Sequence, residues 1–297
     1  MADMVGSALI RRHIGRRFAA LRVRAGLTQE QAADRLQRGR ATIGRIEDGD
    51  PRVRFREIDV RAMLEIFGAS RHDAQVLLAL TAETRNGPRK SWWHDYTETA
   101  LPDWFGLYVS LEDSAETIRR YEPELVPGLL QTRAYAEAAT RVPRGYVTEE
   151  QVQRRVEVRM ARQALLRRPR APHLDVILGE AVLHRLAATD AMGTEQARHL
   201  LEATARGNVS VRVVPFAAGV HGGMASNSFA ILDFPADERT GELLEPPLAY
   251  AESLTGALYL NKPDEAAAYN VVWRDLEWHA LDAAASAAMI RAVLGRS

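Results

Sequence analysis

"GLTQEQAADRLQRGRATIGRIEDGDP", from Gly26 to Pro51, reads as two short helices joined by a tight turn. Thr28 can cap the first helix, and Gln31, three residues on, completes a capping box. That helix turns Ala32, Ala33 and Leu36 inward. Gly39 is an acceptable N-cap for the second helix, which anchors itself through Ile43 and Ile46 and is closed by Asp48-Gly49 and Pro51. Helices joined in this way have the helix-turn-helix geometry, whose second helix enters the major groove of double-stranded DNA. The outward face of that second helix carries Arg40, Ala41, Thr42, Gly44 and Arg45. Arg pairs with the N7 and O6 acceptors of guanine, and Ala offers a methyl contact to thymine. Thr28 and Gln29 can meet a phosphate through side chain and backbone N–H groups. Arg16, Arg17, Arg52 and Arg54 are expected to ring the groove. Arg45 lies about 500° around the helix from Arg40, so the two cannot both point straight into the groove. Arg45 is the better base reader, and Arg40 takes a mixed role. The blander reading of the same residues is a plain helical bundle without DNA activity.

Upstream, Ile10, Ile14, Phe18, Leu21 and Ala25 recur at helical spacing until Gly26 ends the pattern. Downstream, helices are expected over 56–67 and over 70–85, the latter with Val76, Leu77 and Leu80 apolar. Residues 1–85 thus form an all-α helix-turn-helix bundle of five helices. The polar, turn-rich "RNGPRK" follows, with 86–90 as linker. Residues 91–297 read as an α+β (mixed α/β) C-terminal domain. Its helices are expected near 102–114, 131–140, 148–168, 193–206, 264–280 and 283–294. Its strands are expected at 174–178, 209–214, 228–234, 248–252 and 257–260.

The formal net charge of zero conceals an asymmetry. Residues 1–90 hold 18 Lys and Arg against 11 Asp and Glu, and the remaining residues reverse the sign. A basic front and an acidic rear imply that the front meets the polyanion. The chain of 297 residues has no cysteine, which excludes disulfides, a thiolate zinc site and a cysteine nucleophile. No apolar run approaches the ~20 residues that cross a bilayer, and the start lacks a signal-peptide pattern. A cytoplasmic protein without membrane contact is expected. No P-loop, GxGxxG, HExxH or GxSxG occurs, so neither enzymatic activity nor a cofactor is expected. Glu180 and His184 stand one helical turn apart, but no third ligand follows at a metal-binding spacing. Glu112 and Glu252 define no catalytic pair.

Three features of the rear half have two readings each. Trp92, Trp93, Tyr96, Trp104, Phe105 and Tyr108 suit the core of the second domain, or an aromatic-lined ligand or partner site. Arg154, Arg155, Arg159, Arg162, Arg167 and Arg168 suit a solvated face, or contact with an acidic partner or a second DNA backbone. The Gly- and Ala-rich loop from Pro215 to Phe229, with His221, is a lid, a partner contact or a plain connection.

The opening stretch resembles the XRE/Cro-type helix-turn-helix family. Gly26, Leu27, Thr28, Gln29, Glu30, Ala33, Leu36, Thr42, Ile43, Arg45, Ile46, Glu47 and Gly49 match its pattern. Gln37, Arg38 and Gly39 replace the family's Gly, small apolar residue and Ser in the turn, and Gly44 replaces a common Ser. Arg38 points to a looser or differently shaped turn. The segments "SWWHDY", "RRVEVRMARQALLRR", "NVSVRVVPFAAGVHGG" and "LAYAESLTGALYL" resemble the second domain of a group of actinobacterial regulators, a domain described as unassigned or antitoxin-like. The resemblance implies a transcription regulator, commonly encoded beside a small partner protein. Its rear domain would sense that protein or a ligand. A homodimer on DNA is expected, because one such motif reads only a few base pairs. The alternative is an antitoxin-like adaptor that sequesters a small protein and regulates its own gene.

Overall fold

The computed structural model describes residues 2–85, 103–236, 243, 245–253 and 256–295. They fall into two compact units. The first takes in residues up to 85 together with Asp103–Leu111, and the second begins at Glu112. The expected linker, 86–90, lies outside the described residues.

The first unit holds α1 (Ala2–Arg24), α2 (Gln29–Arg35), α3 (Arg40–Glu47), α4 (Glu57–Ile66) and α5 (Arg71–Arg85), joined by most of α6 (Asp103–Ser114). Ile10, Ile14, Phe18 and Leu21 of α1 are buried as a stripe. Ala25 falls past the end of that helix and is exposed. Two glycines bring backbones together. A Cβ on Gly15 would sit 2.4 Å from the Glu47 carbonyl oxygen, and one on Gly49 2.6 Å from the Arg12 Cα. Gly49 also has a φ of +68°, a left-handed conformation that suits glycine. Helix α1 therefore lies directly against the end of α3 and fixes where α3 points. Val60, Met63 and Leu64 of α4, Leu77 and Leu80 of α5, and Leu107, Tyr108 and Leu111 of α6 complete the core. The side chain of Val76 lies outside the described residues.

The second unit is built on one six-stranded mixed sheet. Its strands are β1 (Thr117–Glu122), β2 (His173–Gly179), β3 (Val209–Val214), β4 (Phe229–Asp233), β5 (Leu248–Ser253) and β6 (Gly256–Leu260), in the order β3-β2-β1-β4-β5-β6. The first three run parallel; β4, β5 and β6 are each antiparallel to the neighbour before them. Helices α7 (Arg133–Thr140) and α8 (Glu149–Arg162) connect β1 to β2, and α9 (Glu180–Ala187) and α10 (Asp190–Thr204) connect β2 to β3. The short α11 (Gly223–Ser226) precedes β4, and α12 (Pro263–His279) and α13 (Ala283–Leu294) end the chain. Tyr121, Ile177, Phe229 and Ile231 pack with Trp273 and Leu276 of α12 on one face. Leu174, Val176, Leu232 and Leu248, on the opposite face, are buried as well. Burial on both faces explains why β2, β4 and β5 read as nearly unbroken apolar runs.

Strand β1 and helix α9 were not expected. The β1 sequence, "TIRRYE", sets two arginines in the middle of a central strand. Arg119 is neutralised by Asp233, at 2.8 Å, and also donates to the side-chain oxygen of Asn270, at 2.7 Å. Arg120 pairs with Glu122 two residues on. The helix expected over 148–168 divides into α8 and a 3-10 turn, Gln163–Arg167.

Candidate nucleic-acid interface

Helix α2 begins as its sequence requires. The Thr28 hydroxyl accepts from the Gln31 N–H at 3.1 Å, and the Gln31 side chain accepts from the Thr28 N–H at 2.9 Å. At its end, Gln37 takes a φ of 53° and the Arg38 N–H donates back to Ala33 at 2.9 Å. This six-residue closure is the helix-ending turn that glycine fills at least cost. Arg38 stays at the surface and pairs with Asp59 at 2.7 Å. An inward apolar anchor is therefore replaced by an outward ion pair, and the turn still closes.

A carboxylate inside the bundle holds the motif together. Glu47 is 8% exposed, and its two oxygens accept from Arg22 at 2.6 and 2.9 Å. Arg22 also donates to the Leu27 carbonyl at 2.7 Å, and the Gln29 amide donates to Glu47 at 2.8 Å. The Glu47 hydrogen bond raises the Arg22 guanidinium above its ordinary value. A buried charge without such partners would cost several kcal/mol, about 3–5 when one partner is removed. Helix α1, the start of α2 and the end of α3 are thus clamped to one carboxylate. The sequence shows Glu47 only as a family match; its burial was the missing information.

With Ile43 and Ile46 turned in, α3 leaves Arg40, Ala41 and Arg45 exposed and Thr42 and Gly44 half-buried. Arg45 makes only long contacts within its own helix, at 3.3 Å to the Ala41 carbonyl and 3.4 Å to the Thr42 hydroxyl. A Cβ on Gly44 would meet nothing within 4 Å. Arg54 is exposed, and Arg52, 79% exposed, holds Asp50 at 2.6 Å and pulls its carboxyl down to about 2. Thr28 is exposed, although its hydroxyl is engaged as the cap. The side chain of Gln29 is directed to Glu47 and away from the surface. Arg16 and Arg17, expected to ring the groove, are half-buried instead; Arg17 meets Asp73 at 2.5 Å. Asp73 of α5 supplies the acid for Arg17 inside the bundle.

The candidates in the second unit separate. Arg162, half-buried, donates three hydrogen bonds of 2.7–3.0 Å to the buried Glu112. Arg159 donates to Gln131 at 2.9 Å, and burial, with Arg162 adding to it, lowers its guanidinium to about 10. Both were expected on an outward arginine face; both turn inward. Arg154, Arg167 and Arg168 are the exposed members of that series. His221 is half-buried, edge-on to Tyr121, with its ring centre 6.2 Å from that of His279. Its Nδ1 is buried without a hydrogen-bond partner, and burial lowers its pKa, with His279 adding to the effect. Glu180 accepts from the Phe216 N–H at 2.6 Å and meets His184 at 3.1 Å, which ties the loop after β3 to α9. Around His221, Phe216, Val220 and Met224 are exposed apolar side chains. Among the described residues no three metal-type ligands converge, and no helix is long and apolar enough to cross a membrane. Trp92, Trp93, Tyr96 and the side chains of Trp104 and Phe105 lie outside the described residues.

Comparison with known proteins follows the same division. Residues 13–77 match the family model described as a helix-turn-helix domain, and residues 105–292 match the one described as a domain of unknown function (DUF5753). No curated protein matches the chain.

Proposed function

The chain belongs to the DUF5753 family and carries a helix-turn-helix domain at its N-terminus, and we propose that it is a cytoplasmic, sequence-specific transcription regulator. Residues 1–85 bind operator DNA, and residues 91–297 control them. The observation that carries this reading is α3 itself. Its inward face is committed to Ile43, Ile46 and the Glu47 clamp, while Arg40, Ala41 and Arg45 face solvent. A rigidly seated helix with an outward guanidinium is what direct reading of guanine needs. Arg45 reads a base, Arg40 mixes reading with phosphate contact, and Arg52 and Arg54 hold the backbone. The protein acts as a homodimer, because one motif covers only a few base pairs and paired motifs read two half-sites a helical turn apart. The exposed Phe216, Val220 and Met224 favour control by a small partner protein over control by a ligand.

Binding titrations against a library of operator variants test the assignment. Arg45→Ala costs about 1–3 kcal/mol on the cognate sequence and relaxes preference at one base pair. Arg52→Ala weakens all sequences by a similar factor. An Arg45→Ala variant that loses affinity equally for every operator would make Arg45 a backbone contact and remove the proposed reader.

A further inference from the structure

The segment 126–131, between β1 and α7, is fastened by three side-chain amides. Gln131 donates to the Val126 carbonyl at 2.6 Å, Gln163 to the Gln131 carbonyl at 2.6 Å, and Gln196 to the Leu130 carbonyl at 2.7 Å. This platform holds the half-buried Arg159 of α8. Its Nη1 donates to the Gln131 side-chain oxygen at 2.9 Å and to the Thr140 hydroxyl at 3.4 Å. Its stem lies against Gly128, where a Cβ would stand 3.7 Å from the Arg159 Cδ. The sheet supplies the opposite charge. Tyr121 and Ala251 both pair with Phe229 and pack toward α12. The residues that follow them, Glu122 and Glu252, therefore stand two strands apart, about 10 Å, on the other face. Glu122 is buried and accepts from Arg120 at 2.6 Å; Glu252 is exposed and accepts from the Tyr250 hydroxyl at 3.2 Å. Arg159 lies in the electrostatic reach of both carboxylates, yet its hydrogen bonds go to an amide and a hydroxyl. A partly desolvated guanidinium gains most from a carboxylate. The tethers at Gln131 and Tyr250 hold Arg159 and Glu252 short of that contact.

We propose that Arg159 and Glu252 bind a small zwitterion of the amino-acid type, its carboxylate on Arg159 and its ammonium on Glu252. The Arg120–Glu122 pair cancels its own charge, which leaves one cation and one anion for the ligand. The guanidinium fork matches a carboxylate through two parallel hydrogen bonds, and an ionised Glu252, which only accepts, takes the ammonium. Burial, with Arg162 adding to it, lowers the Arg159 guanidinium to about 10, so a ligand carboxylate relieves a poorly solvated charge. The place in the fold agrees. The two carboxylates end β1 and β5, and β1 is the strand at which the parallel half of the sheet meets the antiparallel half. Open sheets with helical crossovers take ligands outside the carboxyl ends of their strands, where the winding changes. The inference goes beyond the regulator reading: it assigns a ligand to the second unit, whatever that ligand does to DNA binding.

Titration calorimetry of the full chain with each standard amino acid, at millimolar concentration, is the test. At least one binds the wild type, and Glu252→Gln and Arg159→Gln each weaken it about tenfold or more. Glu252 is exposed, so its variant folds and decides the matter even where Arg159→Gln does not fold. The N-acetylated and the amidated forms of the same amino acid bind the wild type about tenfold more weakly or worse, because each lacks one of the two charges. No binding by any amino acid overturns the proposal. So does equal affinity for wild type and Glu252→Gln, which places the ligand elsewhere. An N-acetylated form that binds as tightly as its parent overturns it as well, since Arg159 would then hold a plain anion.

Discussion

Helices α3 and α8 both carry arginines at one- to five-residue spacing, and they use them in opposite directions. On α3, Arg40 and Arg45 stay in solvent, because the buried acid at its end, Glu47, is already satisfied by Arg22 and Gln29. On α8, Arg162 is drawn in by Glu112, whose side chain is 3% exposed, and Arg159 lies in the electrostatic reach of Glu122 and Glu252. The difference does not lie in the arginines. It lies in where the fold has buried carboxylates that lack a partner, since a buried charge recruits its counterion before any external ligand can.

The largest expected effect attacks α8. Arg162→Ala leaves Glu112 buried and unpaired, and the second unit loses about 3–5 kcal/mol. Urea unfolding followed through the fluorescence of the buried Trp273 reads this directly. Arg45→Ala leaves the same transition within about 0.5 kcal/mol of wild type. If the two variants unfold alike, the contrast between the helices is wrong.

A smaller effect comes from the neighbourhood of α1, where arginines and a histidine share one interior. His13, on α1, is buried beside Ser110, and burial, with Arg17 and Arg16 adding to it, lowers its pKa from 6.5 to about 3. The folded pKa is depressed, so the neutral ring binds its proton less readily than the unfolded chain does. Its contribution is complete above pH 6.5 and is lost as the pH falls toward 3. Between pH 7 and pH 5 the first unit loses about 2 kcal/mol more than a His13→Gln variant does. Thermal unfolding of the full chain, with hydrogen exchange along α1, measures the difference. Identical pH profiles would mean that His13 is not held neutral.

The smallest effects sharpen the description of α3 as a surface kept for DNA. Gly44 lies inside α3 where no protein atom requires a glycine, so Gly44→Ala stabilises the first unit by about 1 kcal/mol. If the glycine serves close approach to the duplex, the same variant binds DNA more weakly. Gain in both stability and affinity would show that Gly44 has no such role. Gln37→Gly relieves a left-handed residue in the turn and stabilises by about 1 kcal/mol, as chemical denaturation would show, with DNA affinity unchanged.

Legibility followed the range of the interactions. The α2–turn–α3 segment was readable because its determinants are local: Thr28 with Gln31, Gly39 before the helix, and Ile43 with Ile46 inside it. The apolar strands from β2 to β6 were readable from composition. Strand β1 was not, because its arginines contradict a central strand, and Arg119 gains its partners, Asp233 and Asn270, only from more than a hundred residues away. The directions of Arg17, Arg159 and Arg162 were equally hidden, since each depends on an acid or amide far along the chain.

The sequence by itself determined the helix-turn-helix, its caps, the mixed character of the rear half and the basic front. Those properties depend on residues three or four apart, or on composition alone. Only the tertiary structure decided which arginines remain available to a ligand. A guanidinium swings through several ångströms on its flexible stem, and the place where it comes to rest is set by the nearest buried carboxylate, not by its neighbours in the chain.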